Sequence, residues 1–223
     1  VWVVKIDTSG NKIWDKTFGG QDTDAAYAGI VSNDKGLLIV GQSASNKGSD
    51  KSEDNKGEGD YWIIRLDDVG DKLWDKTIGG NGYDWCYSVT TSADGGFFIA
   101  GHSQSDKSGD KSEDRKHEYD GWVIKIDNNG NKMWDRTIGR GNLFYSDASI
   151  VVTPDNGCLF TASGGYEPIK LDADGNEQWR FNYGPTACYS LINISDGRFL
   201  LAGESQSNKG QYKSEDSHGF EDF

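Results

Sequence analysis

The sequence predicts an all-β chain assembled from repeated units of four short antiparallel strands. Three observations carry that expectation. Tryptophans recur in register: Trp2, Trp62 and Trp122 are 60 residues apart, as are Trp14, Trp74 and Trp134, and Trp179 follows 45 residues later. Two phrases alternate down the chain, one of the type "IRLDDVGDKLWDKTIGG" and one of the type "SADGGFFIAGHS", each in four versions. No segment of useful length repeats its apolar residues at the helical period.

The strands can be read one by one. "YSVTTS" is a first strand, closed by Asp and Gly, and "FFIAGHS" is a second. "WIIRLD" is a third and "KLWDKTI" a fourth, joined through "DDVGD". The Asp-x-x-Gly pattern of that join gives a tight hairpin the positive φ that glycine adopts at little cost. "KLWDKTI" alternates, as a strand with one wetter face does. "WIIRLD" and "LLIVG" are nearly unbroken apolar runs, as strands buried on both faces are. The units fall at about 2–61, 62–121, 122–166 and 167–223, within one predicted domain of residues 1–223. The third is shorter. It runs from "TASGG" directly into "YEPIKLD".

Repeats of four antiparallel strands at this length are the signature of β-propeller blades, which bury both faces only by packing side by side round an axis. The stretches "GGNGYDWCYSVTTSADGGFFIAGHSQS" and "DYWIIRLDDVGDKLWDKTIGG" resemble the bacterial SBBP-type propeller repeat. Such repeats occur in secreted Bacteroidetes proteins that carry type IX secretion signals, and the resemblance spans essentially the whole chain. It implies an extracellular or cell-surface setting. It also implies that the strand near Tyr87 is innermost, with Tyr27, Ala148 and Tyr189 as its matches. The chain opens inside a third strand, "VWVVKID", as a mature or excised piece would. Two architectures follow. Either four blades close a ring, with one blade built from two strands of each end, or the four belong to a larger ring.

Composition narrows the function. The net charge of −13 repels nucleic-acid backbones and anionic membranes. No apolar run approaches the roughly 18 residues of a membrane span, so no membrane insertion is expected. The three cysteines, Cys86, Cys158 and Cys188, form no CxxC pair, and are read as small buried hydrophobes.

"KSED" occurs three times, at 51–54, 111–114 and 213–216, inside long polar inserts that the third unit lacks. Loop faces alternate in an antiparallel unit, so these inserts share a face with the Gly-Gly loops. Asp106, Ser108, Asp110, Ser112 and Asp114 offer oxygen at alternate positions, as calcium loops do. Asp110 has Tyr212 as its last-copy match, however, and lysines sit between the acids. The other reading is a solvated, exposed connector spelled alike through duplication, so no firmly held metal or other cofactor is expected, with calcium as the alternative.

Asp24 and Asp84 are matched acids beside the Gly-Gly loops. They either hold loop geometry or act as paired carboxylates in glycan chemistry. Trp85, next to Asp84, suits sugar stacking or packing. Trp14, Trp74, Trp134 and Trp179 are read as mostly buried packing anchors. Three functions compete. The first is a non-catalytic secreted or cell-surface module presenting loops to a protein or ligand. The second is a carbohydrate-binding, lectin-like propeller. The third is a glycan hydrolase or lyase centred on the third unit, where Arg140, Tyr145 and Asp147 break the repeat. The expected binding positions are Asp24, Asp84, Trp85, Asp110 and Asp114.

Overall fold

The computed structural model describes residues 1–32, 34–139, 148–162, 167–183, 186–194, 197–205 and 207–216. They form sixteen strands, and among the described residues there is no helix. The first hairpin is β1 (Trp2–Ile6) and β2 (Lys12–Thr17). The first full blade is β3 (Asp24–Val31), β4 (Leu37–Ser43), β5 (Asp60–Leu66) and β6 (Lys72–Ile78). The second is β7 (Asp84–Thr91), β8 (Phe97–Ser103), β9 (Asp120–Ile126) and β10 (Lys132–Ile138). The third is β11 (Ala148–Val152), β12 (Cys158–Ala162), β13 (Ile169–Leu171) and β14 (Glu177–Arg180). A last hairpin follows, β15 (Thr186–Asn193) and β16 (Phe199–Ser205). Every pairing is antiparallel.

Local chemistry sets this geometry. In the turn between β5 and β6, Asp67 Oδ1 accepts the amides of Val69 (3.0 Å) and Asp71 (2.8 Å), and Gly70 takes φ 88°. Three of the four first strands bulge, between Ala26 and Ala28 in β3, between Cys86 and Ser88 in β7 and between Cys188 and Ser190 in β15, while β11 keeps its register. The bulge pushes a carbonyl onto the second strand. A Cβ on Gly101 would sit 1.8 Å from Trp85 O, so only glycine fits opposite it.

The blades pack in series. The first strands β3, β7, β11 and β15 touch one another in chain order, the arrangement expected of innermost strands. β5 and β9 are buried along their full length, as their unbroken apolar runs predict. The core lies between adjacent sheets, with Tyr61 of one blade against Trp122 of the next (5.0 Å between ring centres). The chain is thus a propeller with four blades' worth of strands: three complete sheets and two halves. The halves β1–β2 and β15–β16 are separate two-stranded sheets, so the strands of the two ends do not join into the shared blade that ring closure requires. β1–β2 lies against the first full blade and β15–β16 against the third.

The tryptophans divide into two sets. Trp62 and Trp122, on the third strands, are the fully buried ones. Each donates its indole N–H to the fourth-strand acid of its own blade, Asp75 or Asp135, at 3.0 Å. The fourth-strand set is only half-buried, which corrects the expectation of mostly buried anchors. Trp14, Trp74 and Trp134 lie over the turn glycines of the following blade, Gly70, Gly130 and Gly175, so they seal blade to blade. Trp179 has no such glycine beneath it and is 42% exposed.

Candidate functional site

The Gly-Gly loops and the long polar inserts share one face, as expected. Asp110 N donates to Gly79 O (2.8 Å) and Gly82 N to Ser105 Oγ (2.8 Å). The first blade repeats the scheme, with Asp50 N on Gly19 O and Asp22 N on Ser45 Oγ.

Within this face the KSED phrase is a clasp, and each of its four letters has a task. Lys51 and Lys111 are 2% exposed. Lys51 Nζ donates to Ser45 O (2.5 Å), Lys111 Nζ to Thr137 Oγ1 and Glu113 O, and burial pushes both ammonium groups below their usual range. Ser52 N and Ser112 N donate to Asp75 and Asp135 (2.9 Å each). Glu53 and Glu113 accept the amides of Thr77 and Thr137 (2.8 Å each). Asp54 and Asp114 close the insert on itself by accepting the amides of Lys47 and Lys107 (3.0 Å each). The insert is therefore pinned to the outer strand of its own blade. This corrects the reading of a connector alone, while most residues of the insert remain exposed or half-buried, as expected.

The alternate oxygens do not converge. Asp106 pairs with Arg115 (3.3 Å). Asp110 pairs with Lys56 of the preceding insert and accepts Gly79 N (3.2 Å), and Asp114 faces Lys107 N. Among the described residues no group of three or more His, Cys, Asp or Glu side chains is placed to hold a metal ion.

Asp24 and Asp84 hold the Gly-Gly loops. Asp24 Oδ2 accepts Gly20 N (2.7 Å) and Ser45 Oγ (3.0 Å), and Asp84 Oδ2 accepts Gly80 N (2.7 Å) and Ser105 Oγ (2.9 Å). Burial raises the Asp84 carboxyl above the usual carboxylate range. Asp60, also fully buried, is raised to about 6 by burial, with the charge of Asp84 adding to the effect. One Asp60 oxygen accepts Lys56 N (2.6 Å) while the other has no donor within the protein, so hydrogen bonding does not offset desolvation.

Trp85 belongs to an aromatic group at the junction of the first two blades. Its ring stacks on Tyr83 (5.1 Å, interplanar 1°) and lies nearly parallel to Tyr119 (6.4 Å, 19°). His102 presents its edge to both Trp85 (4.9 Å, 78°) and Tyr119 (5.8 Å, 84°). Tyr87 links His102 to Tyr27, the matching residue of the blade before (5.1 Å each). Tyr83 and Tyr27 are exposed, and Trp85, Tyr87 and Tyr119 are half-buried. Burial lowers the His102 imidazole to about 4, so the ring is neutral near pH 7. The first unit has Thr23, Ala25, Gln42 and Gly59 where the second has Tyr83, Trp85, His102 and Tyr119. Sequence reading reaches Trp85 but not His102 or Tyr119. The signal available was this departure from the repeat at matched positions.

Arg140, Tyr145 and Asp147 lie outside the described residues. The three cysteines are buried and unbridged, and burial raises the Cys158 thiol to about 12.

No protein-family model matches the chain, and no curated protein matches it. Solved propeller structures do. A protein of unknown function from Bacteroides caccae matches 91% of this chain with TM-score 0.53 at 10% identity. A streptogramin B lyase matches 89% (TM-score 0.57, 14% identity), and the WD40 β-propeller domain of Doa1 matches 87% (TM-score 0.53, 14% identity). The chain spans 64%, 54% and 52% of those chains respectively. At these identities the likeness is one of fold.

Proposed function

We propose that this chain is a non-catalytic binding module whose ligand face is the loop-rich face at the first and second blades. The observation that carries the reading is the aromatic group of Tyr83, Trp85, His102 and Tyr119. It interrupts the repeat at four matched positions and places three nearly parallel rings beside the Gly-Gly loop. Packing alone explains aromatics that recur in every blade. It does not explain why one blade replaces Ala25 and Gly59 with Trp85 and Tyr119 and leaves Tyr83 exposed. A neutral His102 behind the rings keeps the platform uncharged, and the acids beside it are fixed by backbone amides.

Stacked rings bordered by carboxylates and amides favour a carbohydrate, whose C–H faces stack on aromatic rings while its hydroxyls hydrogen-bond at the edge. That is the more specific reading, the lectin-like one. The resemblance to secreted propeller repeats and the net charge of −13 support an extracellular or cell-surface setting, with type IX secretion as the route. The test is a glycan array followed by titration of the best hit into the native chain and Trp85→Ala. Glycan binding should be lost in the variant while its melting temperature stays within a few degrees. An array without hits would remove the carbohydrate reading. A protein partner whose capture survives Trp85→Ala would move the ligand face elsewhere.

A further inference from the structure

We infer that the face opposite the loop-rich one carries a second binding site, at the junction of the first and second full blades, for a neutral polyhydroxylated ligand the size of one sugar ring. The site is built wholly from those two blades and does not rest on the aromatic group.

Its place follows from the connections. The turns after the first and third strands of a blade lie on the other face from the Gly-Gly loops and the inserts. Three of them, after β3, β7 and β9, meet around a cavity of about 230 Å³. The first blade gives it Ser32 and Asp34, and the second gives Thr91, Ser92, Asp94 and Asn128. The buried Phe97 completes the lining.

The two acids are preset as acceptors. Behind each stands a buried cation from the third strand of its own blade, Arg65 behind Asp34 and Lys125 behind Asp94. Arg65 Nη2 donates to both Asp34 oxygens (2.6 Å each), and Gly36 N donates to Oδ1 (3.1 Å). Lys125 Nζ meets Asp94 Oδ2 (2.6 Å), and Gly96 N donates to Oδ1 (3.1 Å). The guanidinium holds the Asp34 carboxyl well below the usual carboxylate range. The acids themselves stay half exposed, at 57% and 46%. A carboxylate offers about four lone-pair sites, so each keeps acceptor capacity toward the cavity.

This pairing also selects the charge of the ligand. Each acid is matched by its own cation, so these four groups add no net charge. A cationic ligand would compete with Arg65 and Lys125 for the same oxygens, and an anionic one would meet two carboxylates. A neutral ligand that donates hydroxyls to the acids gains charge-assisted hydrogen bonds without either conflict. The volume lies below the roughly 300–1,000 Å³ of sites for drug-sized molecules, which suits a single ring.

Ser92 is the group that the protein leaves incomplete. At the matched position of the first blade, Ser32 Oγ reaches Asp34 Oδ1 (2.5 Å) and Gly36 O (3.0 Å). In the third blade, Thr153 Oγ1 donates to Asp155 Oδ1 (2.6 Å). Ser92 Oγ lies near Asp94 without the alignment of a hydrogen bond, and it is buried with no other partner. A buried hydroxyl left unpaired is destabilising. A turn about its Cα–Cβ bond would bring this one to a ligand hydroxyl in the cavity.

The next junction is a control within the molecule. Between the second and third blades the turn acids Asp94 and Asp155 recur, with Lys125 and Lys170 behind them. Val152, Ala173 and Cys158 stand there in place of Thr91, Asn128 and Phe97. The ion pairs recur because they hold the turns. The hydroxyl, the amide and the ring distinguish the junction that holds this cavity.

The experiment is amide NMR on the 223-residue chain. Glucose, galactose, mannose and N-acetylglucosamine are titrated in turn, with methylammonium as the charged control. At least one sugar should shift the amides of Gly36, Ser92, Gly95 and Gly96 saturably, and the shifts should persist in Trp85→Ala. Thr91→Val combined with Asn128→Ala copies the third blade, so the melting temperature should stay within a few degrees. That variant should bind the same sugar about tenfold more weakly, as the loss of two neutral hydrogen bonds predicts. Four results overturn the inference. The first is no saturable shift at those amides with any of the four sugars. The second is a shift with methylammonium and not with sugar, which would make the cavity a cation site. The third is a shift that vanishes in Trp85→Ala, which would put all sugar binding on the loop-rich face. The fourth is a titration that the double variant leaves unchanged.

Discussion

The second and third blades descend from one repeat pattern yet differ in a way that reveals what the long insert does. In the second, β8 and β9 run seven residues each and are buried throughout. In the third, β12 has five residues and β13 three, and the outer strand β14 is exposed along its length. The second blade carries the KSED insert and the third does not. Where the insert is present, its Ser and Glu reach the fourth strand and fix Asp135 and Thr137, so the outer pair of strands is tied at the insert's end. Where it is absent, Arg180 replaces the fourth-strand acid, and the ladder shortens. A blade can therefore form without the clasp, but with its outer half reduced. The insert extends and seals the blade as well as connecting its strands.

The comparison is broken most severely by removing what the clasp covers. Trp122→Ala should cost about 3–5 kcal/mol, the range for truncating a large buried ring. It also strips Asp135 of its indole donor. Trp179→Ala, on the exposed fourth strand of the third blade, should change stability by less than about 0.5 kcal/mol. Chemical denaturation of both variants measures the contrast. Equal losses would show that the two blades are sealed alike.

The clasp itself should give the next largest effect. Asp135→Ala leaves the indole N–H of Trp122 and the amide of Ser112 without their acceptor, at about 2 kcal/mol. Glu113→Ala, which frees only Thr137 N, should cost roughly half as much. A double-mutant cycle between them should show coupling, because both hold one insert to one strand. Additive losses would mean that the two contacts act independently.

The all-β class, the four-strand unit and the burial of the third strands were legible because they rest on period and repetition. "WIIRLD" states its burial in its own letters. The shared face of the KSED inserts and the Gly-Gly loops followed from counting turns. The clasp did not, because a buried lysine and an exposed one are spelled alike. Lys51 is buried only because Ser45 O and the far strand meet it there. One signal was nevertheless present. The blade without KSED is also the blade whose Trp-Asp becomes Trp179-Arg180, and two features lost together mark one contact. The separation of the end hairpins was not legible at all, because four blades of a closed ring and four blades of a larger one are spelled by the same strands. The aromatic group was half legible: "YDW" marked Trp85, while His102 and Tyr119 arrive from strands and loops distant in sequence.

A pH series sharpens the comparison on the loop-rich face, where two buried groups of the first two blades act in opposite directions. Burial raises the Asp60 carboxyl to about 6, above its unfolded value near 4. The fold thus favours its protonated form, so this contribution is present below pH 4 and is lost as pH rises through 6. His102 is lowered to about 4 from an unfolded value near 6.5. Its contribution is present above pH 6.5 and lost as pH falls through 4. In a His102→Gln background, moving from pH 8 to pH 5 should raise stability by about 1 kcal/mol through Asp60, and Asp60→Asn should remove that gain. Melts of the two variants across this window are the check. The His102 ring itself should titrate near 4 by NMR.

The smallest effect belongs to the third blade's outer strand, where the clasp pair has been rewritten. Lys132 and Asp135 of the second blade become Glu177 and Arg180, the same spacing with the charges reversed. In the second blade the acid is buried beneath the insert and accepts the Ser112 amide and the Trp122 indole as well as the lysine. In the third, both partners are about 40% exposed (41% and 39%) and Arg180 meets only Glu177, at 2.7 and 2.5 Å. An ion pair in that setting is screened by water and salt and costs side-chain freedom to hold. Arg180→Ala should therefore shift stability by no more than about 0.5 kcal/mol, and by less in high salt. Asp135→Ala, made at the same repeat position, should lose several times more and show little salt dependence, because its hydrogen bonds are buried. Paired denaturation curves at low and high salt decide it. A loss at Arg180 as large as that at Asp135 would mean that the charge pair, and not the insert it once held, is what secures an outer strand.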